Sequence, residues 1–201
     1  MDELTLLQAA RLKGRVRPAD LAATLDEDAA SVETAIEELT EAGLLVEGKT
    51  VRLSPDGRAR LNDLLAEERH GLDGAAFARA YDGFRGVNRD FKALVSDWQL
   101  KDGEPNDHGD ADYDAAVLSR LDAVHQAVLP ILATATEQLP RLDAYAAKLS
   151  AALEKVRAGD TAWFTRPMID SYHTVWFELH EELIGAAGLT RDDEANAGHA
   201  E

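Results

Sequence analysis

Most residues able to take part in chemistry fall in two stretches. Residues 90–114 (DFKALVSDWQLKDGEPNDHGDADYD) and 160–183 (DTAWFTRPMIDSYHTVWFELHEEL) hold all three Trp and three of the six His of this 201-residue chain. In the second stretch His173 and His180 stand two helical turns apart and share a face, with Trp176 and Phe177 between them on much the same side. Trp98, Trp163, Tyr172, His173 and Trp176 together offer the apolar walls and few polar groups of a small-ligand site. Aromatic residues at helical spacing also anchor cores, where a nearby His or Asp satisfies the polar tips of Tyr and Trp. The expectation is that these five line a ligand pocket.

Metal and enzyme chemistry are poorly supplied. Asp107, His108, Asp110, Asp112 and Asp114, with Asp170, His173, His180 and Glu181, offer oxygen and imidazole ligands at spacings that fit no known loop. Asp110, Asp112 and Asp114 open like a calcium loop, but Ala115 stands where Gly is needed and Leu121 where a bidentate Glu is needed. His180-Glu181 lacks the second His of the zinc protease pattern, because Ile184 occupies its place. There is no Gly-rich phosphate loop, nucleophile elbow or dinucleotide fingerprint, and His125 and Glu178 read as structural or solvated. No metal, cofactor or catalytic residue is expected.

Composition narrows the classes further. The absence of Cys excludes disulfides, thiolate zinc sites and cysteine nucleophiles. No basic segment followed by an apolar run opens the chain, and no membrane partner is expected; the reading is a cytoplasmic protein. The formal charge of -17 is unfavourable for a nucleic-acid binder unless its bases share one face. They do cluster: Arg11, Lys13, Arg15 and Arg17 have no acid between them, and Lys49, Arg52, Arg58 and Arg60 surround a second segment.

The elements that must hold these residues follow from periodicity and caps. Residues 2–13 form a first helix, and Pro18 opens a short second one. A third, from AASVETAIEELTEAGLL, buries Val32, Ala35, Ile36, Leu39 and Ala42 and stops at Gly43. LLVEGKTVRLS alternates as a hairpin turning at Glu47-Gly48-Lys49, and Ser54-Pro55 caps an exit helix. From Asp73 the pattern is helical, broken by KDGEPNDHGDADYD, resumed through Pro130, restarted at Pro140, and opened a last time at Pro167 to end at Gly188. Thr190–Glu201 has the composition of a disordered tail.

Three helices, a hairpin and an exit helix make the order of a winged helix-turn-helix. The segment DLAATLDEDAASVETAIEELTEAGLLVEGKTVRLSPDGRARL closely resembles that domain of MarR-like bacterial regulators, most specifically in EELTEAGLLVEGKTVRLSPDGRARL. The resemblance implies a homodimer on double-stranded DNA, because one winged helix reads a half-site and two-fold symmetry supplies the second. Arg15, Arg17, Lys49, Arg52, Arg58 and Arg60 would then hold backbone, with Ser31 and Thr34 at the reading surface. Against this, the helix that would enter the groove carries Asp28, Glu33, Glu37, Glu38 and Glu41 and no base, so a winged helix that binds protein is the alternative.

The fold class expected is mainly α: a winged helix-turn-helix over residues 1–70, then an all-helical sensor or dimerisation domain over 71–189 and a tail over 190–201. KALVSDWQ, NDHGDADYD and DSYHTVWFELHEEL in the helical half also resemble helical segments of actinobacterial proteins related to phosphoenolpyruvate-utilising dikinases. That likeness implies an accessory module beside such an enzyme. The expected function is thus a transcriptional regulator with a small-molecule effector, or an interaction module with an enzyme partner.

Overall fold

The computed structural model describes residues 1–196. The chain divides into two compact units, Met1–Gly71 and Leu72–Glu201, each mainly helical with one small antiparallel hairpin.

In the first unit α1 (Glu3–Lys13) starts where the Asp2 carboxylate accepts the amides of Leu4 and Thr5, and ends at Gly14, whose φ of 71° suits glycine. Pro18 is the first helical residue of α2 (Pro18–Leu25), and Asp28 caps α3 (Ala29–Glu41) by accepting the Ser31 amide. β1 (Leu45–Val46) pairs with β2 (Arg52–Leu53), Leu45 opposite Leu53 and Val46 opposite Arg52, so the connection is longer than the tight turn expected at Glu47-Gly48-Lys49. Val16 and Val51 exchange both backbone hydrogen bonds, at 3.1 and 2.7 Å, which lays the α1–α2 connection against the hairpin as a third short strand. α4 (Pro55–His70) begins at Ser54, whose Oγ accepts the Gly57 amide at 2.9 Å and donates to the Gly43 carbonyl at 2.6 Å. Leu6, Leu7, Leu21, Val32, Ile36, Val51, Leu53 and Leu61 form the core.

In the second unit α5 (Gly74–Gln99) is capped by Asp73 and leads directly into β3 (Leu100–Lys101), which pairs with β4 (Glu104–Pro105). Asp102 and Gly103, at φ 54° and 85°, make the two-residue turn that a tight hairpin needs. Part of the stretch expected as an irregular break is therefore an Asp-Gly hairpin. α6 (Ala111–Gln138) follows and runs through Pro130; a 3₁₀ turn (Pro140–Leu142) precedes α7 (Asp143–Arg157), and α8 (Ala162–Thr165) is a single turn. α6 is long and apolar enough to cross a membrane by length and composition alone; here Leu121, Val128 and Leu132 pack with Phe77, Phe84, Phe91 and Leu94 of α5.

Two expectations need correction. The last long helix, α9 (Tyr172–Ala186), begins at Tyr172 and not at Pro167, because Ser171 is its cap and Met168 just upstream adopts a left-handed φ of 67°. Residues 190–196 do not read as tail: α10 (Arg191–Asn196) places Glu194 at 1% exposure, paired with Arg85 of α5. A buried carboxylate held by a guanidinium fixes this segment where composition alone gave no reason for order. Residues 197–201 of the expected tail lie outside the described residues.

Gly57 is where α4 comes closest to its neighbour, since a Cβ there would stand 2.0 Å from the Leu44 carbonyl oxygen. Overpacking against backbone is not relieved by a rotamer change, so Gly57→Ala is expected to destabilise the first unit by about 2–3 kcal/mol. Ser54→Ala should cost about 1 kcal/mol through the lost cap. Urea unfolding of the full chain followed by circular dichroism checks both; an unchanged midpoint for Gly57→Ala would disprove the close approach.

Candidate functional site

α5 and α9 pack through rings. Trp176 lies 5.1 Å from Phe84 and 4.5 Å from Phe91, centroid to centroid, and donates its indole N–H to the buried Asn88 Oδ1 at 2.9 Å. With its one polar group satisfied, Trp176 can stay buried among the rings of Phe84, Phe91 and Tyr172. His173, Trp176, Phe177 and His180 emerge on one side of α9, as their spacing requires, and with Phe91, Lys92 and Val95 of α5 they line a half-open cleft of about 120 Å³.

The charge of this cleft is one-sided. Its ionisable lining residues are Lys92, His173, His180 and Arg191, all basic, and no Asp or Glu among the described residues joins them. Arg191 reaches in from α10, stacked 4.6 Å from the Phe177 centroid, with the Glu181 carboxylate 2.6 Å from its guanidinium. His180 is 7% exposed, and its Nε2 lies 3.4 Å from the Tyr81 hydroxyl. Burial pulls its pKa down to about 4, with Glu181 opposing, so the ring is neutral at pH 7.

Only two of the five residues predicted to line a pocket meet in it. His173 and Trp176 do; Trp98, Trp163 and Tyr172 are elsewhere. Trp98 is buried against Phe164, with the His108 ring 4.3 Å away. Trp163 lies under the Lys155 ammonium, 3.3 Å from its ring centroid. Tyr172 is fully buried, with its hydroxyl 3.2 Å from His125 Nδ1. His125 in turn reaches Ser150 Oγ at 3.4 Å, and burial, then the nearby Arg157, lowers its pKa. Two of the predicted ligand contacts, Trp98 and Tyr172, are thus core residues, and Trp163 is half-buried at the edge of the core. The contributions of Lys92 and Arg191 were missed because neither carries an aromatic or periodic signal; only their sign against an acidic background marks them.

The acidic stretch before α6 is spent on structure. Asp110 caps α6 through the Tyr113 amide and pairs with Lys101 Nζ at 2.7 Å, which lowers its own pKa. Asp114 accepts from Asn106 Nδ2 at 2.9 Å and sits 3.0 Å from His108 Nδ1, while Asp107 accepts the Gly109 amide. Glu178 and Glu182 of α9 are buried; Glu182 is held by Arg141 and lies 3.4 Å from the Tyr145 hydroxyl. A larger recess of about 280 Å³ between α5 and α6 is walled by small and aliphatic residues with Asp90 and Arg120, and includes none of the predicted site residues.

On the first unit, the eight residues predicted to meet DNA fall into two groups. Arg17 forms a two-bond pair with Asp20 at 2.7 and 2.8 Å, and Arg60 another with Glu3 at 3.1 and 2.9 Å. Ser31 bonds its own cap, Asp28, and Thr34 Oγ1 donates back to the Ala30 carbonyl at 3.0 Å. Arg15, Lys49 and Arg58 are exposed and Arg52 half-buried, and among the described residues none of the four has an ion-pair partner. The Val16–Val51 pair buries both valines and sets the connection that carries exposed Arg15 and Arg17 against the hairpin that carries Lys49 and half-buried Arg52. Glu33, Glu37, Glu38 and Glu41 stay exposed along α3.

Known proteins give no match. Neither a family, nor a curated protein, nor a solved structure is found that corresponds to this chain. Geometry and chemistry therefore carry the functional reading alone.

The state of His180 predicts an acid sensitivity. Its folded pKa lies near 4 against about 6.5 when unfolded, so between these values the unfolded chain binds more protons and stability falls as pH is lowered. His180→Leu should remove that contribution, making the loss of stability between pH 7 and 4.5 smaller than in the parent by on the order of 2 kcal/mol. Denaturant midpoints at the two pH values decide it; parallel losses in both proteins would refute the buried neutral histidine.

Proposed function

We propose that this chain is a transcriptional regulator that binds double-stranded DNA through a winged helix in its first unit, with the second unit serving for dimerisation and small-molecule sensing. The observation that carries the reading is the Val16–Val51 pairing. It brings two basic clusters distant in sequence next to each other, the connection with Arg15 and Arg17 against the hairpin with Lys49 and Arg52. The order of three helices, hairpin and exit helix supports the same reading.

In this reading DNA contact is mostly electrostatic, made to phosphates by the hairpin edge. α3 cannot lie deep in a groove with Glu33, Glu37, Glu38 and Glu41 against phosphate oxygens, so base reading falls to its N-terminal end near Ser31 and Thr34. A homodimer would set two such edges on a palindromic site.

The four exposed carboxylates of α3 favour a second reading, in which the first unit binds a protein and regulates a metabolic enzyme, such as a phosphoenolpyruvate-utilising dikinase. Pull-down of genomic fragments by the full chain at low and at physiological salt separates the two. The regulator should enrich a palindromic fragment, less so at higher salt. Arg15→Glu with Arg52→Glu should abolish that enrichment, and each single change should lower the salt slope by about 1. No enrichment at either salt would sink the DNA reading and leave the protein-binding one.

A further inference from the structure

α10 is six residues long, too short to hold a helix without outside support. Of its residues whose burial is described, Glu194 alone is buried, so charge and not apolar area fastens it. Two ion pairs do this. Glu194 is held by Arg85 of α5, whose Nε donates to Oε2 at 3.0 Å, and Arg191 binds Glu181 of α9 at 2.6 Å. His180 belongs to the same cluster. The Tyr81 hydroxyl stands 3.4 Å from His180 Nε2 and is also within hydrogen-bonding reach of the Glu194 carboxylate, so the ring and the one buried group of α10 share a neighbour.

We propose that α10 is an acid-released strap, which stays closed on α5 and α9 while His180 is neutral and detaches when that ring takes up a proton. The groups facing the ring set the direction. From α5 come the Tyr81 hydroxyl, Arg85 and Lys92; from α9 come Glu181 and, in the same cleft, His173; from α10 come Arg191 and Glu194. A proton on the closed ring is therefore a new cation beside three others, while both carboxylates already hold guanidiniums and the ring is 7% exposed. Burial, opposed by Glu181, accordingly keeps the closed ring near a pKa of about 4, against 6.5 for a free imidazole. Detaching α10 removes Arg191 and Glu194 and lets water reach the ring, so the open strap binds the proton more tightly. Lowering the pH through the free value then shifts the balance to open.

Arg85 keeps a partner when Glu194 leaves, because its Nη1 also donates to Asp82 at 2.8 Å. Opening thus leaves no bare guanidinium in the core, which is the arrangement a reversible strap needs. The released state uncovers the Phe177 ring, on which Arg191 stacks at 4.6 Å, and makes the surface of α9 depend on pH.

The test is amide hydrogen exchange of the full-length protein, followed by NMR and corrected for the intrinsic rate at each pH, so that protection reads the ratio of open to closed. Amides of residues 191–196 are expected to be protected at least about a hundredfold less than the core amides of α9, showing that α10 opens as a unit of its own. Their protection should fall on the order of tenfold between about pH 7 and about pH 5, above the range where carboxylates titrate. His180→Leu should abolish that fall and His173→Gln should leave it unaltered. Glu194→Gln, which removes the ion pair at constant shape, should lower the protection of α10 about tenfold at pH 7 without changing that of α9. Protection of α10 equal to that of α9, no fall with pH in the parent, the same fall in a folded His180→Leu protein, or an unchanged α10 in Glu194→Gln would each overturn the proposal.

Discussion

The helical unit depends on how a single tryptophan is held. Trp176 stacks between Phe84 and Phe91 of α5 while its N–H is bound by Asn88, itself 3% exposed. An unpaired indole or amide at that depth would cost on the order of 1–3 kcal/mol, so each side chain makes the burial of the other tolerable. The hydrogen bond also fixes the rotation of α9 about its axis. With Trp176 oriented, His173, Phe177 and His180 are carried to the cleft side, and Glu178 and Glu182 are carried to the other, where Arg141 and Tyr145 receive Glu182.

That rotation separates two electrostatic environments on one helix. Tyr145 ionisation is pushed up by burial and by Glu182 and Glu178, whereas on the opposite side His180 is kept neutral within a basic lining. α10 belongs to the His180 side. Arg191 extends the cleft and Glu194 goes to Arg85, so a short polar segment is fastened at both ends by charge rather than by apolar area.

In the first unit the governing constraint is the backbone pair at Val16 and Val51. The two buried valines bring Arg15 and Arg17, which flank Val16, next to Arg52, which follows Val51. Among the acids of the same unit, Glu33, Glu37, Glu38 and Glu41 lie along α3 and Asp20 and Glu3 are held by Arg17 and Arg60, while Glu47 shares the hairpin connection with Lys49. A net-acidic domain can thus hold a basic edge, and its total charge is a poor guide to what that edge meets.

Local rules read from the sequence alone were enough for most elements. Ser54 caps the helix it precedes, Pro18 and Pro55 open theirs, and Gly43 adopts the positive φ expected after a helix, whereas the caps Asp2, Asp28 and Asp73 emerged only in the structure. The shared face of His173, Trp176, Phe177 and His180 was legible for the same reason, since helical spacing is a property of neighbours along the chain. Depth and partnership were not legible. Nothing local separates Trp176, buried among the rings of α5, from Trp98, packed on Phe164, or from half-buried Trp163, because cover comes from elements far away in sequence. The same holds for the helix over residues 191–196, fastened by Arg85, and for the meeting of the α1–α2 connection with the hairpin, decided by one strand pair. Sequence determined which residues share an element and a face; only the tertiary structure decided which faces meet, since packing and ion pairing join groups that periodicity cannot relate.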